Sequence, residues 1–253
     1  MTQTIQLYRT NNGPCPYRSV GIWENVSFEV KSLSVQVFQD LLDVGFRRSG
    51  CSIYRPDCRG CRRCIPIRLD CDAFRMSKGQ RRTWRKNEDL QIEHRSVEFD
   101  EEIFKLYQRY QIDWHQTSEI PELEEFENFL IQTPVKTEMI RYSLENKLLG
   151  VSWVDHLPSG LSSEYFIFHP EYASRRLGVY SILYEIEYCQ KLKHPWLYLG
   201  YFVGDSPKMN YKADYQPAQV FLKEQWQYME KTVSFANSIF AAGSTLRKGR
   251  SLF

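Results

Sequence analysis

Residues 139–203 decide the fold, and they read MIRYSLENKLLGVSWVDHLPSGLSSEYFIFHPEYASRRLGVYSILYEIEYCQKLKHPWLYLGYFV. Three apolar-rich segments have the composition and length of strands and are separated by short turns. The strands are 139–144, 148–156 and 161–168, and the turns are 145–147 and 158–160. A helix of about 14 residues is predicted after Leu177, and WLYLGYFV at 196–203 predicts another strand.

Three antiparallel strands, a helix and a further strand are the core order of GNAT-type acyltransferases, an analogy at the level of fold alone. The predicted class is therefore α+β. It comprises a GNAT-like acyltransferase domain, with a mixed, largely antiparallel sheet and helices, and a smaller N-terminal α/β region. We expect a Cys/Arg-rich domain over 1–95, the GNAT-like domain over 96–232 and a disordered tail over 233–253.

The N-terminal half contains clear local signals. Ser34 can cap a helix over 34–44, and a hairpin is predicted to turn at Ser49-Gly50. CIPIRLDC at 64–71 predicts a strand. Ser77 and Gln80 have the spacing of a capping box, which predicts that a basic helix begins there.

The composition is that of a globular protein of 253 residues. It contains no run of about 18 apolar residues and no apolar segment after Met1, so we expect a soluble cytoplasmic protein. The seven cysteines are an odd number and are clustered. In a chain that is not secreted, this favours metal or thiol chemistry over disulfides.

Positive charge is concentrated in one segment. Residues 47–86 contain 13 Lys and Arg and three Asp, a net charge of +10, whereas the whole chain has a charge of +2. Charge this concentrated must be solvated or must face an anion. The segment is therefore a nucleic-acid contact, the rim of a metal site, or both.

Cys58, Cys61 and Cys64 have ligand spacing for a zinc ion or an iron–sulfur cluster. A fourth ligand is missing locally, and Cys15, in a Pro-Cys-Pro loop, is a better fourth candidate than Cys71. The alternative is that these residues are reduced thiols in a tight loop.

The predicted basic helix places four cations on one side: Lys78, Arg81, Arg82 and Arg85. Such a stripe can follow a phosphate backbone, although a solvated helix face is the alternative. Arg175 and Arg176 precede the long helix, and the N–H groups at a helix start favour phosphate or carboxylate. Tyr180 occupies a position where a small residue would let coenzyme A approach.

Several blocks occur in one order along the chain: FRRSG, YRPDCRGCRRCIPIRL, SKGQRR, LLGVSWVDHLPSGLSS, RRLGVYSILYEIEYCQ and YLGYFVGDSPKMNYKADYQP. Together they resemble the bacterial aspartate/glutamate leucyltransferases and their eukaryotic relatives, the arginyl-tRNA–protein transferases. The resemblance implies transfer of an amino acid from aminoacyl-tRNA to the N-terminal amine of proteins that begin with Asp or Glu. Leucine is favoured over arginine. The eukaryotic relatives carry an N-terminal CxxC that helps to bind an iron–sulfur cluster, whereas here only Cys15 stands there.

This reaction starts from an activated ester, so no cofactor is required and positioning should supply most of the rate. The candidate proton acceptors are Glu164 and Tyr201. A cationic pocket for the acidic side chain of the acceptor is predicted from Arg48, Tyr54, Arg55, Lys208, Tyr211 and Lys212. The tRNA contact is predicted from Lys78, Arg81, Arg82, Arg85, Arg175 and Arg176.

Two other functions compete with this one. A coenzyme-A-dependent N-acyltransferase is favoured by the order of elements but opposed by Tyr180 and the basic helix. A non-enzymatic, zinc-ribbon-like RNA-binding module is favoured by the cysteines and arginines, but it leaves the C-terminal half unexplained.

Overall fold

A computed structural model describes residues 6–229, which form two β-sheets and the helices packed on them. The strands are β1 (Tyr8–Pro14), β2 (Ile22–Glu29), β3 (Arg47–Ser49), β4 (Ser52–Pro56), β5 (Ile65–Asp70), β6 (Gln91–Ser96), β7 (Thr137–Leu144), β8 (Lys147–Leu157), β9 (Gly160–Phe168), β10 (Trp196–Phe202), β11 (Ala218–Leu222) and β12 (Gln225–Tyr228). The α-helices are α1 (Val35–Asp43), α2 (Lys78–Lys86), α3 (Glu101–Arg109), α4 (Leu123–Phe126) and α5 (Leu177–Leu192). Single π-helical turns extend α3 over Tyr110–Trp114 and α4 over Glu127–Ile131, and 3₁₀ turns span Pro170–Arg175 and Asn210–Asp214.

The small sheet has the strand order β1-β2-β4-β3, and the large sheet has the order β12-β11-β5-β10-β9-β8-β7-β6. Every pairing is antiparallel except that of β9 with β10, which α5 connects. The predicted α+β class, with a mixed and largely antiparallel sheet, is confirmed at this level. None of the helices within 6–229 is both long and apolar enough to cross a membrane.

The local predictions agree with the structure because each depends on neighbouring residues. The Ser34 hydroxyl accepts a hydrogen bond from Val37 N at the start of α1, and β3 and β4 form the predicted hairpin. Ser77 and Gln80 form a complete capping box on α2, since each side chain bonds the other residue's backbone N–H.

The predicted boundary at residue 95 does not separate the two sheets. Strand β5 pairs with β10 and β11, and β6 pairs with β7, so both lie in the large sheet. The change of sheet falls between Pro56 and Ile65. The partners of β5 lie more than a hundred residues away, and composition does not reveal such pairing. The predicted disordered tail, 233–253, lies outside the described residues.

The two sheets share a core. Phe38 and Leu42 of α1 are buried in one cluster with Ile53 of the small sheet and with Leu157 and Tyr198 of the large sheet. Burying such side chains stabilises a fold by about 1.5–3 kcal/mol each. The small sheet is therefore held against the large sheet by apolar packing as well as by charge.

A buried ion pair also joins the sheets. Arg48 Nε and Nη2 donate to the two carboxylate oxygens of Asp155 at 2.8 and 2.7 Å, and the side chains are 1% and 0% exposed. Thr137 Oγ1 donates a further hydrogen bond to Asp155. Burial alone would lower the pKa of Arg48, but the carboxylates of Asp155 and Glu164 raise it, so Arg48 stays charged.

Replacing Arg48 with methionine should destabilise the protein by about 3–5 kcal/mol, because Asp155 would stay buried without its partner. The free energy of unfolding in urea measures this loss. The matched control is Arg95→Met, because its pair with Glu93 lies at the surface and is screened by solvent, so its loss should change the free energy of unfolding little. Equal losses for the two variants would contradict the structural role of Arg48.

Candidate active site

Strands β9 and β10 pair only at their first residues and then separate. Gly160–Ser162 pair with Trp196–Tyr198. The later residues of β9 and β10 that the structure describes do not pair with each other. Each strand also carries one extra residue at this point. Trp153 lies opposite Tyr165 while Val154 lies opposite Ser163, so Glu164 forms a β-bulge.

The second bulge is at Leu199–Gly200, where β10 shifts register against β5. Gly200 has φ +74°, and a Cβ there would lie 3.4 Å from Nε of Arg47. A side chain at this position would therefore be strained by the backbone conformation, and its Cβ would lie in contact with the guanidinium.

Arg47 from the small sheet fills the gap between the separating strands. Its Nη1 donates to Ser162 Oγ at 2.7 Å, and its Nη2 donates to the Ser163 carbonyl oxygen at 2.6 Å and to Glu164 Oε2 at 3.3 Å. The side chains of Arg47 and Glu164 are 8% and 5% exposed. The bulge thus presents a buried carboxyl group that one guanidinium orients.

Burial raises the pKa of Glu164, and the positive charges of Arg48 and Arg47 partly offset this effect. A carboxyl group with a raised pKa exchanges protons closer to neutral pH than an ordinary glutamate does. Glu164, one of the two predicted proton acceptors, therefore has suitable chemistry for that role.

Tyr201, the other candidate, is a poor proton acceptor. Its hydroxyl donates to the carbonyl oxygen of Gly45 at 2.9 Å. Burial raises the pKa of Tyr201 well above its ordinary value, and the negative charge of an ionised Tyr54 would raise it further, so the hydroxyl stays neutral. The geometry favours a positioning role for this ring, which packs 6.1 Å from the ring of Tyr54.

The residues predicted to form the acceptor pocket lie in different places. Arg48 cannot line such a pocket, because its guanidinium is buried and both of its edges face Asp155 or backbone. We call Arg47 and its partners Ser162, Ser163 and Glu164 the Arg47 cluster. Tyr54 and Lys212 lie beside this cluster, and Lys212 Nζ donates to the Tyr201 carbonyl oxygen at 2.8 Å. Burial lowers the pKa of Lys212 to about 7, so it is a weak cation.

The other three members of that predicted pocket are exposed: Arg55, Lys208 and Tyr211. Arg55 lies one residue from Tyr54 on a strand, where successive side chains point to opposite faces. Its Nη1 donates to the Val44 carbonyl oxygen, and its guanidinium lies 4.9 Å from the ring centre of Phe46.

One cavity adjoins the Arg47 cluster through Tyr54 and Tyr201, and the predicted metal-ligand set lines it: Cys15, Cys58, Cys61 and Cys64. Burial and the neighbouring thiols raise the pKa of Cys64 to about 12. Within the described range, no three His, Cys, Asp or Glu side chains are arranged to hold an ion. The four cysteines thus converge as predicted, but their arrangement does not fit a preformed metal site.

Arginines also stand on the wall of this cavity. Arg18 Nε lies 3.6 Å and Arg63 Nη1 lies 3.0 Å from the same carboxylate oxygen of Asp205, whose side chain is 42% exposed. This wall therefore already holds one carboxylate group. Sequence reasoning did not select either arginine as a site residue.

The predicted tRNA contact forms one surface, which we call the basic face: α2 and residues 174–176. Lys78, Arg81, Arg82 and Arg85 are exposed on α2. Three contacts fix α2 to the start of α5. Lys86 Nζ donates to the Ser174 carbonyl oxygen, Asn87 Nδ2 donates to the Arg175 carbonyl oxygen, and the rings of Trp84 and Tyr180 lie 5.2 Å apart. Arg175 is also paired with Asp89 at 2.8 Å, whereas Arg176 is exposed.

Arg47 is the site residue that sequence reasoning missed, although it stands next to Arg48 in FRRSG. Neighbouring residues on a strand point to opposite faces, so one arginine must face the bulge and the other Asp155. The doubled arginine was the available signal. Only the tertiary structure decides which arginine points in which direction.

Comparisons with known proteins agree along most of the chain. Residues 13–82 match the family described as "Arginine-tRNA-protein transferase, N terminus", and residues 102–222 match its "C terminus" counterpart. An aspartate/glutamate leucyltransferase of Hahella chejuensis is 36% identical over 227 residues, which are 88% of this chain and 97% of that protein. The leucyltransferase of Nitrosospira multiformis is 33% identical over 240 residues, 94% of this chain and 96% of its own. The solved structure of FemX matches with 9% identity and a TM-score of 0.42 over 78% of this chain and 79% of its own, which does not define the fold.

Proposed function

Because the chain belongs to the arginine-tRNA-protein transferase family, we propose that the cluster around Arg47 and Glu164 is its aminoacyl-transfer site. The protein is an enzyme that moves an amino acid from an aminoacyl-tRNA to the N-terminal α-amine of a protein. The product has a destabilising N-terminus and is marked for N-degron degradation.

We infer that leucine is the transferred amino acid and that the acceptor begins with Asp or Glu. The support is that relatives at 33–36% identity over 88% or more of the chain are named aspartate/glutamate leucyltransferases. Aminoacyl-tRNA is made in the cytoplasm, so the reaction is assigned to that compartment.

The GNAT-like assignment is supported by the order of elements in the large sheet. Strands β7, β8 and β9 are antiparallel, α5 follows, and β10 returns parallel to β9. The single observation that carries the proposed site is the separation of β9 from β10 with Arg47 and Glu164 inside it. Where the two strands separate, Arg47 and Glu164 replace the hydrogen bonds that would otherwise join them.

The chemistry needs a neutral amine held against an ester carbonyl. A free α-amine has a pKa of about 7.7–8.0, so a minority is neutral at pH 7 without help. As the amine nitrogen attacks the ester carbon, the C–N bond forms and Glu164 accepts the amine proton. The bond from that carbon to the ribose oxygen then breaks, and the proton passes to this oxygen. Arg47 keeps the Glu164 carboxylate in place.

No step of this reaction is routed through a metal ion, because the ester already carries the activation that the transfer needs. The four cysteines line the cavity.

We assign the acidic side chain of the acceptor to the wall formed by Arg18 and Arg63. Their guanidinium groups already converge on the Asp205 carboxylate, and the cavity they border reaches Tyr54 and Tyr201 beside the Arg47 cluster. Arg55 and Lys208 are both exposed. We assign them to contacts with the acceptor residues that follow its N-terminal Asp or Glu.

We assign the tRNA to the basic face. It presents exposed cations on one side of α2, and Trp84 and Asn87 anchor that helix to the start of α5. An anchored row of cations matches the regular spacing of phosphates better than mobile side chains do.

Wild-type protein should transfer label from radiolabelled Leu-tRNA to a peptide that begins with Asp, and it should use Arg-tRNA and acetyl-CoA poorly.

Glu164→Gln should lower kcat about 100-fold or more with little change in KM, because a positioned base contributes about 10²–10⁴-fold. Single-turnover transfer measures the chemical step.

The control is Glu98→Gln, because Glu98 is an exposed carboxyl. Absence of transfer from any aminoacyl-tRNA by the wild type would contradict the function. Full activity of Glu164→Gln would contradict the role of Glu164 and leave the function standing.

Arg18→Ala should raise the KM for an Asp-peptide roughly 10- to 100-fold, because it removes a charged hydrogen-bond donor facing a carboxylate. Affinity for tRNA should stay unchanged. Arg62→Ala is the matched control, since Arg62 lies in the same loop as Arg63 with its side chain 70% exposed. If Arg18→Ala weakened Asp-peptides and tRNA equally, the acceptor would bind elsewhere.

Replacing both Arg82 and Arg85 with alanine should flatten the dependence of tRNA affinity on salt by about one unit of slope per lost phosphate contact. Binding isotherms at several salt concentrations measure the slope. Lys105→Ala, which removes an exposed cation paired with Glu101, is the control. An unchanged slope in the double variant would move the tRNA contact off the basic face.

A further inference from the structure

Glu185 is a carboxyl group that the proposed chemistry does not use. It lies on the face of α5 that packs on the large sheet and is 0% exposed. Neither of its carboxylate oxygens has a hydrogen-bond partner within the described residues. Burying an ionised carboxylate without a partner is very unfavourable. The group must therefore be protonated, or it must ionise only when a cation or hydrogen-bond donor moves next to it.

The groups that face Glu185 come from every element packed around it. They are Arg47 of β3, Tyr142 of β7, Ser152 of β8, Ser163 of β9, Cys189 of α5 and two tyrosines that follow β10, Tyr211 and Tyr215. Burial is the main reason why the pKa values of Tyr142, Tyr215 and Cys189 are raised, and the charge of Glu185 raises them further. Arg47 is the cation among the groups that lower the pKa of Glu185.

Two of these neighbours belong to the proposed transfer site. The Ser163 carbonyl oxygen at the bulge accepts the 2.6 Å hydrogen bond from Arg47 Nη2, and its hydroxyl faces Glu185. Arg47 orients Glu164 on one side and is attracted to Glu185 on the other. One guanidinium thus bonds one buried carboxyl group and acts electrostatically on a second.

Burial raises the pKa of Glu185 to about 7, although Ser163, Ser152 and Arg47 partly offset it. The two hydroxyls are close enough to act on it but do not meet hydrogen-bond geometry. Both protonation states are therefore populated around neutral pH.

We propose that Glu185 is a positioning residue whose neutral form leaves the Arg47 guanidinium to the bulge and to Glu164, and whose ionised form draws Arg47 away from them. An ionised Glu185 needs a partner in the interior, and Arg47 is the cation whose charge already favours its ionised form. Its loss from the bulge would release the Glu164 carboxylate from its orientation. This inference rests on the proposed function, because Glu164 is the group that is positioned.

The sign of the pH effect follows from the neutral form being the active one. Below about pH 7 Glu185 is protonated and the site is intact, and transfer weakens as the pH rises through the pKa of Glu185. The acceptor amine acts in the opposite sense, because its reactive neutral form grows with pH. The amine ionises in the same way whichever enzyme is used. Dividing the rate of the Glu185→Gln variant by that of the wild type at each pH therefore removes the contribution of the amine.

The test is the ratio of kcat/KM for Glu185→Gln to that of the wild type, measured for Leu transfer across the neutral range. Glutamine keeps the shape of the neutral acid but cannot ionise. The ratio should be near one at about pH 6 and should rise to roughly tenfold at about pH 8. Glu187→Gln, on the same helix but paired with Lys191 at the surface, should give a ratio near one throughout.

A ratio for Glu185→Gln that does not change with pH would overturn the inference, whereas a wild type without any transfer would overturn the proposed function. If Glu185→Gln does not fold, Glu185→Met replaces it as an apolar residue of similar length with the same expected ratio. An independent measurement uses the wild-type protein with ¹³C-labelled glutamate side chains. Complete ionisation of every glutamate at about pH 6 would also overturn the inference.

Discussion

The buried guanidinium of Arg47 is the interaction on which the rest of the site depends. A charge removed from water must be paired and hydrogen-bonded, and Arg47 finds its acceptors only where β9 and β10 separate. The glycine at position 200 and the bulge at Glu164 both lie beside the guanidinium. The small sheet supplies the arginine, so its docking on the large sheet completes the site.

This arrangement suits a reaction whose donor is already activated. The enzyme has to bring two large substrates together and manage one proton, and strong acid or base chemistry is unnecessary. The positive charge assigned to the substrates lies on the basic face and on the wall that holds Asp205, whereas the buried Arg47 orients Glu164. The centre itself contains carboxyl groups whose pKa values burial has raised, Glu164 and Glu185.

Predictability differed between parts of the molecule for a physical reason. The hairpin after Arg47, the capping box at Ser77 and the strand–helix–strand order after residue 139 were predicted, since turns, caps and periodicity depend on neighbours in sequence. The sheet to which β5 belongs was not predicted, because pairing with β10 spans more than a hundred residues. Arg48 was selected as a pocket residue and Arg47 was overlooked, because only the packing of the sheets tells the two faces of β3 apart.

The sequence by itself determined the family, the class of reaction and the elements of secondary structure, because these depend on motifs and local patterns that survive without a three-dimensional context. It also placed the cysteines in one set, and the structure gathers Cys15 with the other three around one cavity. Only the tertiary structure decided which charges are buried, which are paired and which are free to meet a substrate. Those properties depend on solvation and on partners distant in sequence, and they separate Arg48, fully paired with Asp155, from Arg47 at the centre of the site.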